Sequence, residues 1–544
     1  VKPSVVLVAV WLGLSALHLG VSLRSDPGVY YDEVIQANPA RDYLRGYART
    51  KPPPQVTSIE VFGRPFPWKT QPYMGALKSQ LLIPVFAAAG ATPEVLRVTT
   101  TVWGLLAIGV AMLFANALLG LGPACALGAL LAFDPTWLFV ARHDWGSVSL
   151  ALGLRMGALL LALRAWRTGG LGAALAAGAA AGLAVYNKVD AVPFLAGAAA
   201  GLAAARPDVV RSLVAERRRR ALGLAAAAGA ALGALPLIAS ADRILRASGT
   251  LSESSGLAVK ARVALATLDG SYFHRLIEDH GSFATMLEGP SPSWALPWAL
   301  AAGLVVLAVR SLRSGEDARL ARFVVVSWAV TQAGLLAVPA ADRVHHALNV
   351  YPLPHLAVVA AAAWAWRAAP GSGRTASGVA RALLVVAGLA LLGSGAWTID
   401  RTADLIERTG GRGLWSDAST RLVHALDREG TTFVCLDWGF HQTLAFQTDH
   451  ARVLDPVWRL RFARQEGRTW EMRGGAGYVY LVHDGPIDVT GFGAPFLAAV
   501  RALDPEQVEV RHWADREGGP ALVSVRFRRP HDLLWRDGFE VRLR

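Results

Sequence analysis

The sequence predicts a polytopic α-helical membrane protein that carries a C-terminal α/β domain. Three observations predict it. Hydrophobic residues make up 53% of the 544 positions and charged ones only 17%, and the charges cluster, so many windows of about 20 residues are nearly uncharged and long enough to cross a bilayer. Basic residues concentrate in a few short connections between those windows. Beyond residue 400 the pattern changes to short alternating apolar runs. The Ala, Leu, Val and Gly richness of the apolar windows fits helices rather than a barrel.

Apolar helices are expected at 4–24, 94–119, 123–141, 146–166, 171–186, 190–205, 221–241, 293–312, 321–340, 345–366 and 380–399, about eleven spans in all. The polar stretch Tyr186–Asp190 interrupts what would otherwise be one long apolar run. Residues 77–89 are apolar but short for a span, as in a re-entrant or interfacial helix. The first apolar stretch is too long for a signal peptide and lacks a small-x-small cleavage site.

Orientation follows from arginine in short connections. Segments 164–167, 206–220, 310–322 and 367–381 hold fifteen Arg against four acids, Asp208, Glu216, Glu316 and Asp317. They carry most of the net charge of +13 and all fall on one side if eleven spans are right. That side is expected to be cytoplasmic, together with the N-terminus, in the plasma (inner) membrane. Connections 25–93, 142–145, 187–190, 242–292 and 341–344 then lie outside, with everything after about 400. The basic pI is a topology signal and not a nucleic-acid footprint, since no basic patch is interleaved with aromatics. The expected organisation is a membrane domain, 1–399, followed by an extracytoplasmic domain, 400–544.

Within 400–544, Trp415–Glu429 reads as an amphipathic helix. Thr431–Leu436, Tyr478–His483, Gln507–Trp513 and Ala521–Phe527 read as strands, with a helix over Pro495–Leu503. The two cysteines, Cys125 and Cys435, lie far apart in unlike segments, so neither a disulfide framework nor a cysteine zinc motif is expected.

Polar clusters gather on the expected outer face, each at a helix end: Asp32 and Glu33; Arg142, His143 and Asp144; Asn187, Lys188 and Asp190; Asp342, Arg343, His345 and His346. Any one of them reads equally well as a solvated helix end. Both charge signs and several histidines converging on one boundary favour a site. Arg155 falls near the middle of an apolar helix, where an unpaired charge is costly, so it must face the interior, as in an internal ion pair. His274, Glu278 and His280 resemble a metal spacing that arises readily by chance. Gly120 and Gly122 follow no strand and make no phosphate loop.

The stretch "YYDEVIQANPARDYLRG" from residue 30, "QPYMGALKSQLLIPVFAAAGATPEVLRVTTTVWG" from residue 71 and "FDPTWLFVARHDWG" from residue 133 resemble the glycosyltransferase C superfamily. Within it they are similar to the protein O-mannosyltransferase family (glycosyltransferase family 39), which includes lipid A aminoarabinose transferases. Tyr73, Gly75, Leu77, Lys78 and Arg97 fit that family's loop-to-helix entry, and "DRVHHALNVYPLPHL" matches a late motif more loosely. The resemblance covers about the first 190 residues well.

It implies an inverting transferase that moves a sugar from a polyprenyl-phosphate donor to a hydroxyl of a glycan, lipid or protein. A phosphate leaving group needs cations, for which Lys188, Lys78, Arg97 and Arg142 are the candidates. An acceptor hydroxyl needs a base. Asp32 is the candidate, with Glu33 and Asp144 beside it in the catalytic set. No cofactor is required by this chemistry. A divalent metal is compatible with Glu33, His143, Asp144, His345 and His346 as mixed ligands. The competing classes are a transporter or flippase of lipid-linked sugars and a scaffold displaying 400–544. A transporter is expected to show repeated halves and a site at the bilayer midplane, and neither pattern is visible.

The charge pattern makes a topological prediction. Reporters fused after Arg220 and after Asp400 should report opposite sides of the membrane. Finding both on one side contradicts the orientation and the single outer-face site.

Overall fold

A computed structural model describes the chain except for residues 1, 23–25, 47–56, 72, 240–254, 279–286, 288–289, 340–341, 369–373, 428–429, 450–451, 537–539 and 544. Among the described residues each of the eleven apolar stretches is mainly helical. Among the described residues seven helices are long and apolar enough to cross a membrane, or nine if two bent pairs each count as one span. Leu121–Ala132 and Pro135–His143 meet at 65°, and Val189–Ala205 and Pro207–Ala215 at 97°. Leu171–Asn187 and Leu296–Ser311, at 17 and 16 residues, are the remaining two of the eleven apolar stretches, at the lower edge of the length that spans a bilayer. Leu77–Ala89 is a separate 13-residue helix with Pro84 inside it.

Small residues set how closely the helices pack. Leu171–Asn187 lies against Arg217–Ile238, and a Cβ on Gly178 or Gly182 would run into the backbone carbonyls of Ala226 and Ala230. Gly229 and Gly233 meet Leu175 and Ala179 in the same way from the other side. Glycines four apart on both helices let the backbones touch, which replaces the hydrophobic drive that lipid cannot supply. Val192–Ala205 and Glu316–Ala337 repeat the device through Gly197 and Gly201.

Arg155 faces inward, as its cost demands, but among the described residues it makes no ion pair. Its Nη1 donates to the backbone oxygen of Asn349 at 2.9 Å and to Asn349 Oδ1 at 2.6 Å, and its guanidinium lies over Phe194.

The connection 25–93 folds into two short helices, Tyr31–Val34 and Asn38–Arg45, and an antiparallel sheet of Thr57–Val61, Arg64–Gln71 and Met74–Gly75. The last apolar helix, Arg374–Thr409, runs on past residue 400 without a break. The C-terminal sheet has the order Val453–Leu454, Thr432–Cys435, Tyr478–His483, Pro520–Phe527, Val508–Ala514; the first three strands are parallel and the last two antiparallel. Ala418–Leu426 and Gly493–Arg501 are the helices read from the pattern, each shorter than read or shifted. A second antiparallel sheet of Trp470–Gly474, His531–Arg536 and Glu540–Leu543 was not legible, nor were the helices Phe440–Gln447 and Val457–Gln465.

This C-terminal layer sits directly on the connection 25–93. Asn38 Nδ2 donates to Gln442 Oε1 at 2.7 Å and to its backbone oxygen at 2.9 Å, and Arg41 donates to the carbonyls of Ala445 and Thr448. Gly28 N donates to Trp415 O at 2.7 Å, and any Cβ on Gly28 would collide with the Ser416 carbonyl.

Gly178→Leu should lower the thermal stability of the purified protein sharply, because backbone and not a pliable side chain stands in the way. Gly172→Leu, on the same helix with nothing within 4 Å, should leave it nearly unchanged. Equal melting temperatures for the two variants contradict the close-packed helix pair.

Candidate active site

The four polar clusters meet at one end of the helical bundle and divide there into three groups. The first is a buried clamp. Arg97 Nε donates to Glu33 Oε1 at 2.6 Å and Nη2 to Glu33 Oε2 at 2.9 Å. The same guanidinium reaches the carbonyls of Pro27 at 3.0 Å and Gly28 at 3.1 Å. Arg142 makes a second two-bond contact, with both oxygens of Asp26 at 2.7 Å. His143 Nε2 stands 3.8 Å from Asp26, and its Nδ1 is 2.7 Å from the carbonyl of Phe139. Desolvation pushes the Asp26 carboxyl up, but the contacts with His143, Arg97 and Arg142 outweigh it and hold the pKa well below the usual range.

The second group is the fully buried ion pair of Lys78 Nζ with Asp144 Oδ2 at 3.1 Å. Lys78 also donates to the Glu33 carbonyl at 3.2 Å. Asp144 ends Pro135–His143 in the left-handed region, φ 40°, and its Oδ1 accepts from Ser149 N at 3.1 Å.

The third group holds Asp32. Its Oδ2 accepts from Trp145 Nε1 at 2.7 Å. The Trp145 ring meets His345 at 5.3 Å, and the His345 ring meets His346 at 4.2 Å. Lys188 Nζ is 2.8 Å from Asp190 Oδ2 and 3.4 Å from His346 Nδ1, which lies 3.0 Å from the same Asp190 oxygen. Desolvation raises the Asp32 pKa, and the Trp145 bond with the charges of Lys188 and Arg343 opposes that rise without cancelling it. The group therefore offers a partly exposed carboxylate beside a lysine, suited to taking a proton next to a departing anion.

Of the four candidate cations only Lys188 belongs with Asp32. Lys78 and Arg97 are each held by a buried carboxylate and Arg142 by the partly exposed Asp26, while Lys188, itself held by Asp190 at 2.8 Å, is the one whose charge acts on Asp32. The expected mixed metal set is corrected outright. Glu33 is turned to Arg97, Asp144 to Lys78 and His143 to Asp26, while His345 and His346 stand with Lys188. Among the described residues no three of His, Cys, Asp and Glu form a metal-holding group, and both carboxylates of the set are already neutralised. His274 Nε2 pairs weakly with Glu278 at 3.6 Å, and His280 lies outside the described residues. Sequence reasoning missed Asp26, Trp145 and the tryptophans that frame Tyr30. Trp415 stacks on Tyr30 at 4.3 Å, and Trp438 meets it edge-on at 6.3 Å. The signal for Trp145 was its place beside Asp144 at a helix end.

Glu33→Ala should destabilise the protein by about 3–5 kcal/mol, because it leaves the Arg97 guanidinium buried without its carboxylate. Thermal unfolding of the purified variant checks this. An unchanged melting temperature contradicts the clamp.

No protein-family model matches the chain, and no curated protein matches it in sequence. Among solved structures it is similar to ArnT from Cupriavidus metallidurans bound to undecaprenyl phosphate, at 16% identity and a TM-score of 0.52, over 96% of this chain and 97% of that one. It is similar also to ArnT in the apo state, at 15% identity and a TM-score of 0.51, over 94% and 97% of the two chains. Over nearly its whole length the chain shares the fold of ArnT.

Proposed function

We propose that this protein is a membrane glycosyltransferase that moves a sugar from a polyprenyl-phosphate donor to an acceptor hydroxyl, with inversion, at the outer face of the membrane. The observation that carries the reading is one partly exposed carboxylate, Asp32, within the electrostatic reach of the Lys188–Asp190 pair at the end of a helical bundle. The ArnT fold supports it, since the similar ArnT structure holds undecaprenyl phosphate. Arginine-rich connections at 164–167, 206–220, 310–322 and 367–381 support a cytoplasmic assignment for that side and an outer one for the site.

In the proposed reaction the acceptor oxygen attacks the anomeric carbon of the donor. The bond from that carbon to the lipid phosphate breaks, and its electron pair leaves on the phosphate oxygen. Asp32 takes the acceptor proton. Lys188 faces the phosphate and offsets its developing charge. Glu33 and Asp144 act at one remove, through Arg97 and Lys78, by fixing the connection that presents Asp32. Trp145 aims the Asp32 carboxylate and keeps it ionised.

The test uses the purified chain with a short-chain polyprenyl-phosphate sugar. Lys188→Ala should weaken donor binding about tenfold or more. Asp32→Asn should keep donor binding and lower transfer ~10²-fold or more, the range of a positioned base. Donor binding without transfer to any hydroxyl acceptor by the unaltered chain favours the flippase reading and overturns this one.

The rate should also depend on pH in a defined sense. A base works only when ionised, and burial holds the Asp32 pKa above the ordinary carboxylate range. Activity should therefore fall on the acid side at a higher pH than an exposed Asp would give. Trp145→Phe removes the bond that favours the ionised form, so the acid limb should move to still higher pH. A limb that stays or moves down contradicts the assignment of Asp32 as base.

A further inference from the structure

The neighbouring parallel strands Thr432–Cys435 and Tyr478–His483 end beside each other at Asp437 and His483. Asp437 is 1% exposed. Its Oδ1 accepts from the backbone N–H groups of Trp438 at 2.7 Å and Thr490 at 3.0 Å. Its Oδ2 accepts from Val489 N at 3.2 Å and from His483 Nδ1 at 2.7 Å. An ionised carboxylate only accepts, so Nδ1 carries the hydrogen and Nε2 is the nitrogen left to a ligand. The ring is 5% exposed and stacks on Phe440 at 4.0 Å. Its Nε2 has no hydrogen-bond partner among the described residues.

His483 lines a cleft with Val29, Tyr30, Ser416, Ser419 and Thr443. The cleft thus lies between the C-terminal layer and the segment that leads into Asp32, at the carboxyl ends of parallel strands, where open α/β sheets take ligands. Two lining hydroxyls already donate to backbone: Ser419 Oγ to Ser416 O at 3.3 Å and Thr443 Oγ1 to Gly439 O at 3.1 Å. The water-accessible space is ≈ 10 Å³, about what one water or one hydroxyl requires. A hydroxyl, which both donates and accepts, can meet a ring nitrogen there. Beside the cleft Trp438, partly exposed, meets Tyr31 at 4.8 Å; such rings suit the C–H face of a sugar.

We propose that this cleft is a binding subsite for a carbohydrate acceptor, in which His483 Nε2 shares a hydrogen bond with an acceptor hydroxyl other than the one that receives the sugar. Asp437 is the positioning residue that fixes the ring. The proposal rests on the transferase reading, and its test separates the two.

The probes are neutral disaccharides of glucose, galactose, mannose and N-acetylglucosamine, offered to the full chain in detergent. Carbethoxylation of histidines by diethyl pyrocarbonate, mapped by peptide mass, reads His483 directly. At least one disaccharide should protect His483, and polyprenyl phosphate alone should not. In His483→Asn the amide keeps the bond to Asp437 and withdraws the Nε2 position. It should weaken disaccharide binding about tenfold, the worth of one hydrogen bond, with melting temperature and donor affinity unchanged. Absence of protection by every disaccharide, or a variant that loses stability while its sugar affinity holds, makes the pair a structural pin and overturns the proposal. Protection at His483 in a chain that never transfers sugar leaves the subsite standing and removes the transferase reading.

Discussion

The two-bond contact between Arg97 and Glu33 is the constraint on which the rest of the site depends. Both side chains are buried, and a buried ion pair is tolerated only when its partners stay together and their remaining valences are filled. Here the guanidinium also takes the carbonyls of Pro27 and Gly28, so the incoming chain is tied to the helix Pro93–Leu119 at several points. Arg142 on Asp26 and Lys78 on Asp144 repeat the logic from other helices. Three basic side chains from three helices thus pin one connection. Glu33 is committed inward, and its neighbour Asp32, roughly 100° round a helical turn, is left to face Trp145 and Lys188.

The same pinning makes the C-terminal layer part of the site. Gly28, held by Arg97 through its carbonyl, donates in turn to the Trp415 carbonyl. Trp415 stacks on Tyr30, which also touches Trp145 and Trp438 edge-on. Asp32 therefore hangs between a membrane helix end and a tryptophan from each part of the chain. A shift of the C-terminal layer would move Tyr30 and, with it, the carboxylate two residues on.

The apolar helices and the end of the molecule that carries the site were legible in the sequence, because both are written in local composition. Asp32 and Lys188 were legible for the same reason: each is a charge at the edge of an apolar run. Partner choice was not. Lys78, Arg97 and Arg142 look alike as free cations until the fold brings Asp144, Glu33 and Asp26 against them. Asp26 in particular reads as an ordinary polar residue after a helix. The contribution of Trp415 and Trp438 depends on contacts between residues about 400 apart, which no local pattern encodes. The short strands Trp470–Gly474 and His531–Arg536 carry Glu, Arg and Asp, which masks their alternation.

Among the described residues Glu33, Asp144 and Asp190 are each held by a cation, so the proposed reaction is a single displacement. The measurement that tests this most directly is the anomeric configuration of the product, read by proton NMR from a donor of known configuration. The account predicts complete inversion. Retention would require a covalent intermediate on a second nucleophile, and would contradict both the role of Asp32 and the structural commitment of its neighbours.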